Sequence, residues 1–259
     1  MLYERMKTQT LSNEIPPLDD RLSLVASCVR AGAVLADVGT DHAYLPIHLL
    51  LAGICPRAVV TDINEAPLTR AREHAAKYGA AERISFYHAD GLAGIDLAAE
   101  GVTDIAVCGM GGELIAGILD DAPYTRMTGV RCILQPMSSV TDLRRYLADA
   151  GYKIEDERLA EAAGKIYTCL TVVYDGVRRS PSPLEILLGE AHIRRGAAAG
   201  ETFVRYLCRE YRSAVKKYNG RRAGGLDTAE EEELLSGMEK LAAENGIILT
   251  QDNRSEETL

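Results

Sequence analysis

Tryptophan is absent from this 259-residue chain and phenylalanine occurs only at Phe86 and Phe203, so an aromatic stacking surface must come from its 12 tyrosines. Long apolar runs are absent too. The stretch 43–54 is broken by Pro46, His48 and Gly53 and falls short of the roughly 20 residues a membrane helix needs, so no span is expected. Residues 1–20 hold Glu4, Arg5, Lys7 and Glu14 without an apolar block, which excludes a secretory signal and sets the expected location as cytoplasmic. Six cysteines form no C-x-x-C pair and mostly sit in apolar runs, the pattern of reduced, buried thiols. His48, His74, His88 and His192 lack metal-ligand spacing, and no metal is expected. Excess positive charge is missing as well. A net charge of −9 excludes a protein that coats nucleic acid by neutralising its phosphates.

What is present is an alternation of short β-rich apolar runs with segments of helical period, the mark of parallel strands joined by crossover helices. Strands are expected at 33–38, 58–62, 84–89, 104–109 and 130–135, with helices at 45–52, 66–78, 113–119 and 140–150. The runs 152–161 and 166–174 are separated by only Ala162, Ala163, Gly164 and Lys165 and therefore pair as an antiparallel hairpin. The expected fold is α/β: a Rossmann-like sheet of parallel strands closed by a C-terminal antiparallel hairpin, followed by a small helical hairpin. Ser180-Pro181-Ser182-Pro183 marks the boundary. Beyond it, 184–218 reads as one helix broken at Asn219-Gly220, and 228–244 as a second. Three segments result: an N-terminal extension over 1–18, the sheet domain over 19–177 and the helical hairpin over 184–250. Two helices are too thin to enclose a core, so the hairpin must pack on the sheet domain or project from it.

Asp37-Val38-Gly39-Thr40-Asp41-His42 follows the first strand and precedes a helix, where a glycine loop lets backbone approach a nucleotide cofactor. It is not G-x-G-x-x-G. Carboxylates at Asp37 and Asp41 are wrong for a pyrophosphate and right for a cationic group, which points to the ammonium and sulfonium of S-adenosylmethionine. Asp62 ends the second strand about 20 residues on, where an acid accepts ribose hydroxyls, with Ile63 beside it. Asp90-Gly91 ends the third strand, where the acid faces the adenine amino group and the glycine gives the ring room. Asp41 and Asp62 each have an ordinary alternative as a helix cap. Cys108-Gly109-Met110-Gly111-Gly112 ends the fourth strand, and the Asn-Pro-Pro-Tyr motif of many amino-group methyltransferases is missing there.

The run from Asp37 through His42-Ala43-Tyr44-Leu45-Pro46, with Gly109-Met110-Gly111-Gly112, Leu134-Gln135-Pro136 and Gly164-Lys165-Ile166-Tyr167, resembles the bacterial tRNA (adenine-22-N1)-methyltransferase family. The motifs occur in the same order, and the resemblance covers 18–174 and, more weakly, the helical tail. It implies cofactor contacts at Asp37, Gly39, Asp41, Asp62, Asp90, Gly91, Met110 and Gly111. The target adenine is then expected near Tyr44, Gly109, Gln135 and Tyr167, with His42 as a hydrogen-bonding or proton-accepting group. Ring nitrogen N1 already carries an in-plane lone pair, so the site's main task is orientation of a flipped-out base, with Tyr44 and Tyr167 as stacking candidates.

Between 178 and 222 eleven basic residues outnumber four acidic ones. Arg194, Arg195, Arg205, Arg209, Arg212, Lys216 and Lys217 on or near the first tail helix are expected to present a basic stripe, with Lys165 at the hairpin turn, to a structured RNA. The alternative is a solvated helix face laced with Glu201 and Glu210. The expected partner is tRNA, with neither DNA nor a membrane involved. Two other readings stay open: a methyltransferase of the same fold with another substrate, and a non-catalytic module that binds the cofactor or RNA.

Overall fold

A computed structural model of the protein describes residues 15–249. Residues 1–14 of the expected N-terminal extension, and residue 250 at the end of the expected tail, lie outside the described residues. Five strands, β1 (Leu35–Val38), β2 (Ala58–Asp62), β3 (Ile84–His88), β4 (Asp104–Gly111) and β5 (Arg131–Ser138), pair in parallel. The hairpin of β6 (Tyr152–Ala162) and β7 (Lys165–Tyr174) follows, and β7 lies antiparallel between β5 and β6. The order β3-β2-β1-β4-β5-β7-β6 is the Rossmann-like methyltransferase sheet that the alternation and the closing hairpin predict.

Helices cover both faces, which is why the inner strands read as continuous apolar runs and why all four residues of β1 are buried. On one face α1 (Asp20–Cys28), α2 (Tyr44–Leu51) and α3 (Glu65–Lys77) bury Val25, Leu45 and Leu68 against Ile133 and Cys169. On the other, α4 (Leu97–Glu100), α5 (Gly112–Asp121) and α6 (Val140–Ala150) bury Ile115, Leu143 and Leu147 against Val59, Leu134 and Leu170. The helix α1 is not among the elements expected from the sequence. It begins where the Asp19 carboxylate accepts the Leu22 N–H at 2.7 Å, satisfying one of the free donors of a first helical turn.

The tail departs from the expected pair of helices. The run 184–218 is divided into α7 (Pro183–Leu188), α8 (Glu190–Arg195), a 3₁₀ turn (Gly196–Ala199) and the start of α9 (Glu201–Ala223). Gly189 and Gly200, at φ +88° and +91°, interrupt the helical path, whereas Asn219-Gly220 does not, and α9 runs on to Ala223. Then α10 (Ala229–Glu244) returns along it. Phe203, Leu207, Met238 and Leu241 form a small core of their own, seated on Leu159 of β6 and Ile166 of β7. A single fully buried Phe is worth about 1.5–3 kcal/mol, so this seat fixes the tail on the sheet edge.

Candidate active site

The strand order reverses direction between β1 and β4, and the loops leaving their C-terminal ends diverge there, the place where open α/β sheets bind ligands. A cleft of about 410 Å³ opens at that point, lined by Asp19, Arg21, Asp37, Gly39, Thr40, Asp41, His42, Tyr44 and Gly109 among others. A larger cavity of about 670 Å³ lies elsewhere, between β6, α6 and the start of the tail. It is lined by paired charges such as Arg144 and Glu157 and has no glycine loop, so the smaller cleft is the candidate site.

The loop geometry follows from backbone hydrogen bonds between neighbouring strand ends. Gly39 and Thr40 both donate to the Thr61 carbonyl, at 2.8 and 3.2 Å, and Ala89 donates to the Asp62 carbonyl at 3.1 Å. The Thr61 hydroxyl donates to the Gly91 carbonyl at 2.8 Å. Gly39 sits at φ +73°, and a Cβ there would stand 2.0 Å from the Met110 methyl group, so the position combines a left-handed backbone with a close approach. Asp37 lies at the floor, 6% exposed; burial pushes its carboxyl up to about 6, with the Thr40 hydroxyl pulling the other way. A buried carboxyl facing a ligand cleft suits a positively charged group and repels a phosphate.

Asp41 behaves differently from Asp37. Its carboxylate is exposed and tied to Arg70 of α3, whose guanidinium holds it below the usual carboxylate range, and it does not cap α2, whose N-cap residue is Ala43 with φ 53°. Its other oxygen lies 3.3 Å from His42 Nε2. His42 stacks on His74 of α3 at 5.0 Å between ring centroids, and Tyr44 leans on both at 5.4 and 5.1 Å. Burial, and then the neighbouring His42, hold the His74 imidazole below its usual value. Tyr44 is 39% exposed, and the three rings form one aromatic shelf at the rim of the cleft.

Gln135 is only 1% exposed, too buried to face a substrate directly. Its Oε1 accepts from Arg21 Nη1 at 2.6 Å and from the Gly109 N–H at 3.2 Å, while Nε2 donates to the Pro136 carbonyl at 2.9 Å. Its side-chain oxygen is shared by Arg21 and the Gly109 amide, both of which line the cleft. Tyr167 is half-buried on β7 opposite Ala160 and is outside the residues that line the cleft. Asp62 ends β2, and Ile63, Asp90 and Gly91 lie in the loops that follow β2 and β3 on the adjoining stretch of the same sheet edge, with Asp62 Oδ1 accepting from the Asn64 N–H at 2.7 Å rather than capping α3. Met110 and Gly111 close β4 across from them. Arg21, Asp19 and His74 are not among the residues expected from the sequence; the spacing of Leu22, Val25 and Cys28 in the segment after Leu18 is the signal for the helix that delivers the first of them.

The basic residues of the tail do not act as one group. Arg205, Arg209, Arg212 and Lys216 recur every three to four residues and share one face of α9. Arg205 pairs with Glu161 and Glu201, and Arg209 with Glu210, while no carboxylate pairs with Arg212 or Lys216 among the described residues. Lys217 is turned to Glu231 of α10 at 2.8 Å. Arg194 lies on α8, 3.5 Å from Glu190. Arg195 is also on α8, where it bonds Asp156 at 3.0 Å and the Glu157 carbonyl, so it serves the joint between tail and sheet and is separated from the α9 stripe. Lys165 is exposed at the start of β7.

Residues 18–170 match a family described as a methyltransferase domain. A tRNA (adenine(22)-N(1))-methyltransferase of Bacillus subtilis is 36% identical over 176 residues, covering 64% of this chain and 72% of that protein. The crystal structure of a candidate tRNA (m1A22) methyltransferase from Streptococcus pneumoniae, in complex with S-adenosyl-L-methionine, superposes with a TM-score of 0.73 at 31% identity, covering 87% of this chain and 99% of that one. The m1A22 tRNA methyltransferase of B. subtilis superposes with a TM-score of 0.70 at 29% identity, over 89% of this chain and 99% of that one. With its strand order, its acid-and-glycine loop and these relatives in agreement, the chain belongs to the tRNA (adenine(22)-N(1))-methyltransferase family.

Proposed function

We propose that this protein transfers the methyl group of S-adenosylmethionine to N1 of adenine 22 in tRNA, in the cytoplasm, with tRNA rather than DNA as its partner. The observation that carries this reading is the buried Asp37 beneath Gly39 at the reversal point of the sheet, in a cleft rimmed by the Tyr44, His42 and His74 rings. No helix among the described residues is long and apolar enough to cross a membrane. The cofactor, when bound, supplies a methyl group made electrophilic by its sulfonium. Asp37 would face its ammonium group, Gly39 and Gly111 would allow close backbone approach, and Asp41 would add negative charge at the rim. Asp62 would accept from the ribose hydroxyls and Asp90 from the adenine amino group, and Ile63, Gly91 and Met110 would bound the ring.

The chain's work on the target is orientation. Adenine N1 lies on the pairing edge, so the base has to leave its stack, and a flipped base needs a surface to replace the stacking it lost. The Tyr44 shelf provides that surface, at about 1–3 kcal/mol per stacked base. Gln135 fixes Arg21 and the Gly109 amide beside it through one shared oxygen. The His42 Nδ1 is buried and without a hydrogen-bond partner among the described residues, which favours a role in holding the shelf over one in proton removal. Tyr167, farther along the same edge, contacts the nucleotide flanking the target.

Incubating the full chain with methyl-labelled cofactor and a tRNA transcript carrying adenine at position 22 is expected to yield 1-methyladenosine there, read by mass spectrometry of digested RNA. A transcript with guanine at that position stays unlabelled. Cofactor binding without methyl transfer to either transcript removes the enzymatic reading.

The RNA surface is assigned to Arg205, Arg209, Arg212 and Lys216 on α9, with Arg194 and Lys165 nearer the sheet. Phosphate contacts set tRNA affinity and its dependence on salt. The triple variant Arg209→Glu, Arg212→Glu, Lys216→Glu is expected to lose on the order of 100-fold in tRNA affinity and to show a flatter salt dependence, with cofactor affinity unchanged. Filter binding between 50 and 200 mM salt measures both, and wild-type affinity in the variant would remove α9 from the interface.

A further inference from the structure

The helix that carries Arg21 ends on Cys28, and the strand that carries Tyr167 also carries Cys169. Both thiols are free, and their sulfurs lie 4.0 Å apart, with Cys169 donating to Cys28. They differ in access. Cys169 is 1% exposed, whereas Cys28, at 8%, lines a surface cavity of about 270 Å³ shared with Ser27, Arg158 and Thr171. Arg158 Nη1 reaches to 3.5 Å from the Ser27 hydroxyl, which itself lies 4.0 Å from the Cys28 sulfur.

We propose that Cys28 and Cys169 form a peroxide-sensitive dithiol, in which Cys28 is the attacking thiolate and Cys169 the resolving thiol. Charge supports that division of roles. The donated Cys169 hydrogen bond, with smaller help from Thr171, Arg158 and Ser27 and against burial, brings the Cys28 thiol down to about 6, while the same contact raises Cys169. Burial pushes Cys55 and Cys132 the other way, to about 11 and about 12. A thiolate next to a protonated neighbour, lining a cavity at the surface, is an arrangement in which oxidation is site-selective.

The chemistry balances with hydrogen peroxide as oxidant. The Cys28 thiolate attacks one peroxide oxygen; the S–O bond forms, the O–O bond breaks, and the departing hydroxide takes up a proton as water. The Cys169 sulfur then attacks the Cys28 sulfenic sulfur; the S–S bond forms, the S–O bond breaks, and the leaving hydroxide departs as a second water with the Cys169 proton. Two thiols and one peroxide give one disulfide and two waters, the two electrons passing from sulfur to oxygen. Bond formation would bring the sulfurs from 4.0 Å to about 2 Å apart. The bond would tie the helix bearing Arg21 to the hairpin strand at the edge of the site.

Treating the full chain with stoichiometric hydrogen peroxide and mapping its peptides tests this. A Cys28–Cys169 linked peptide, about 2 Da lighter than the two free thiols and reversed by dithiothreitol, is the expected product. Cys169→Ser should stop the reaction at the Cys28 sulfenic acid, trapped by dimedone. Cys28→Ser should leave Cys169 unmodified. On the reduced wild-type protein, iodoacetamide at pH 7 should label Cys28 at least about 10-fold faster than Cys55 and Cys132. A wild-type digest with no linked peptide, or labelling of Cys28 no faster than of those two, would overturn the proposal without bearing on methyl transfer.

Discussion

Asp37→Asn is expected to stabilise the cofactor-free protein while removing its affinity for S-adenosylmethionine. The carboxyl is buried between β2 and β4, and its pKa is raised from 3.8 to about 6. A raised pKa in the fold means that the protonated acid supports folding below about pH 4 and that this support is lost as pH rises through about 6. At neutral pH the native state therefore holds an uncompensated charge, at a cost of about 3 kcal/mol, since each tenfold change in proton affinity is worth roughly 1.4 kcal/mol. Asparagine keeps the shape and discards the charge. It also discards the counter-charge for the ammonium group, and affinity should fall on the order of 100-fold. Thermal unfolding at pH 8 without ligand should show a higher Tm in the variant, and calorimetric titration should show the binding loss. Wild-type affinity should weaken as pH falls below about 6, while the variant's residual binding stays flat. A variant with lower Tm and ordinary affinity would refute the charge argument for this loop.

The second large effect concerns the joint between sheet and tail, where Arg144→Met is expected to cost about 3–5 kcal/mol in urea unfolding, because it strands the Glu157 carboxylate. The two side chains are 2% and 0% exposed, with Arg144 Nε 2.8 Å from Glu157 Oε1. Arg144 Nη1 also donates to the Ile186 and Leu187 carbonyls at 2.9 Å each, and Tyr206 donates to the latter at 2.8 Å, so one guanidinium closes the end of α7. Adding Glu157→Leu to Arg144→Met should recover most of the loss, since a matched apolar pair leaves no charge unpaired. Unchanged stability of the double variant relative to the single would contradict this account. The same contacts explain Gly189. A Cβ there would stand 1.8 Å from Glu157 Oε2, on the carboxylate whose other oxygen is held by Arg144 Nε, and the backbone is already at φ +88°. They also bear on how the tail is tested. Deleting it from Ser180 would uncover Leu159, Ile166 and the buried pair together, so charge reversal in place separates RNA binding from folding.

The strands were legible because a parallel strand covered on both faces is an uninterrupted apolar run with a polar tip; β2 falls on 58–62 as the sequence predicts, and α6 on 140–150. The loop after β1 was legible for a related reason: Asp37 and Gly39 are neighbours in the chain, and their charge and conformational freedom are local properties. The α1 helix was not. Its cap at Asp19 is local, yet the role of Arg21 depends on Gln135, 114 residues away. The single helix expected over 184–218 failed where Gly189 meets Glu157 and where Gly200 turns the chain, contacts that periodicity does not encode. Arg195 counted toward a basic stripe by composition and proved to be spent on Asp156 and the Glu157 carbonyl.

By itself, then, the sequence determined the layered sheet and the family, since each rests on residues adjacent in the chain or on a period of two or 3.6. Only the tertiary structure decided which of two similar acids lies buried, which rings join Tyr44 at the rim and which tail cations remain unpaired. Burial, ring stacking and ion pairing are set by neighbours that the fold brings together from distant segments, and desolvation, which separates Asp37 from Asp41, has no value until those neighbours are in place.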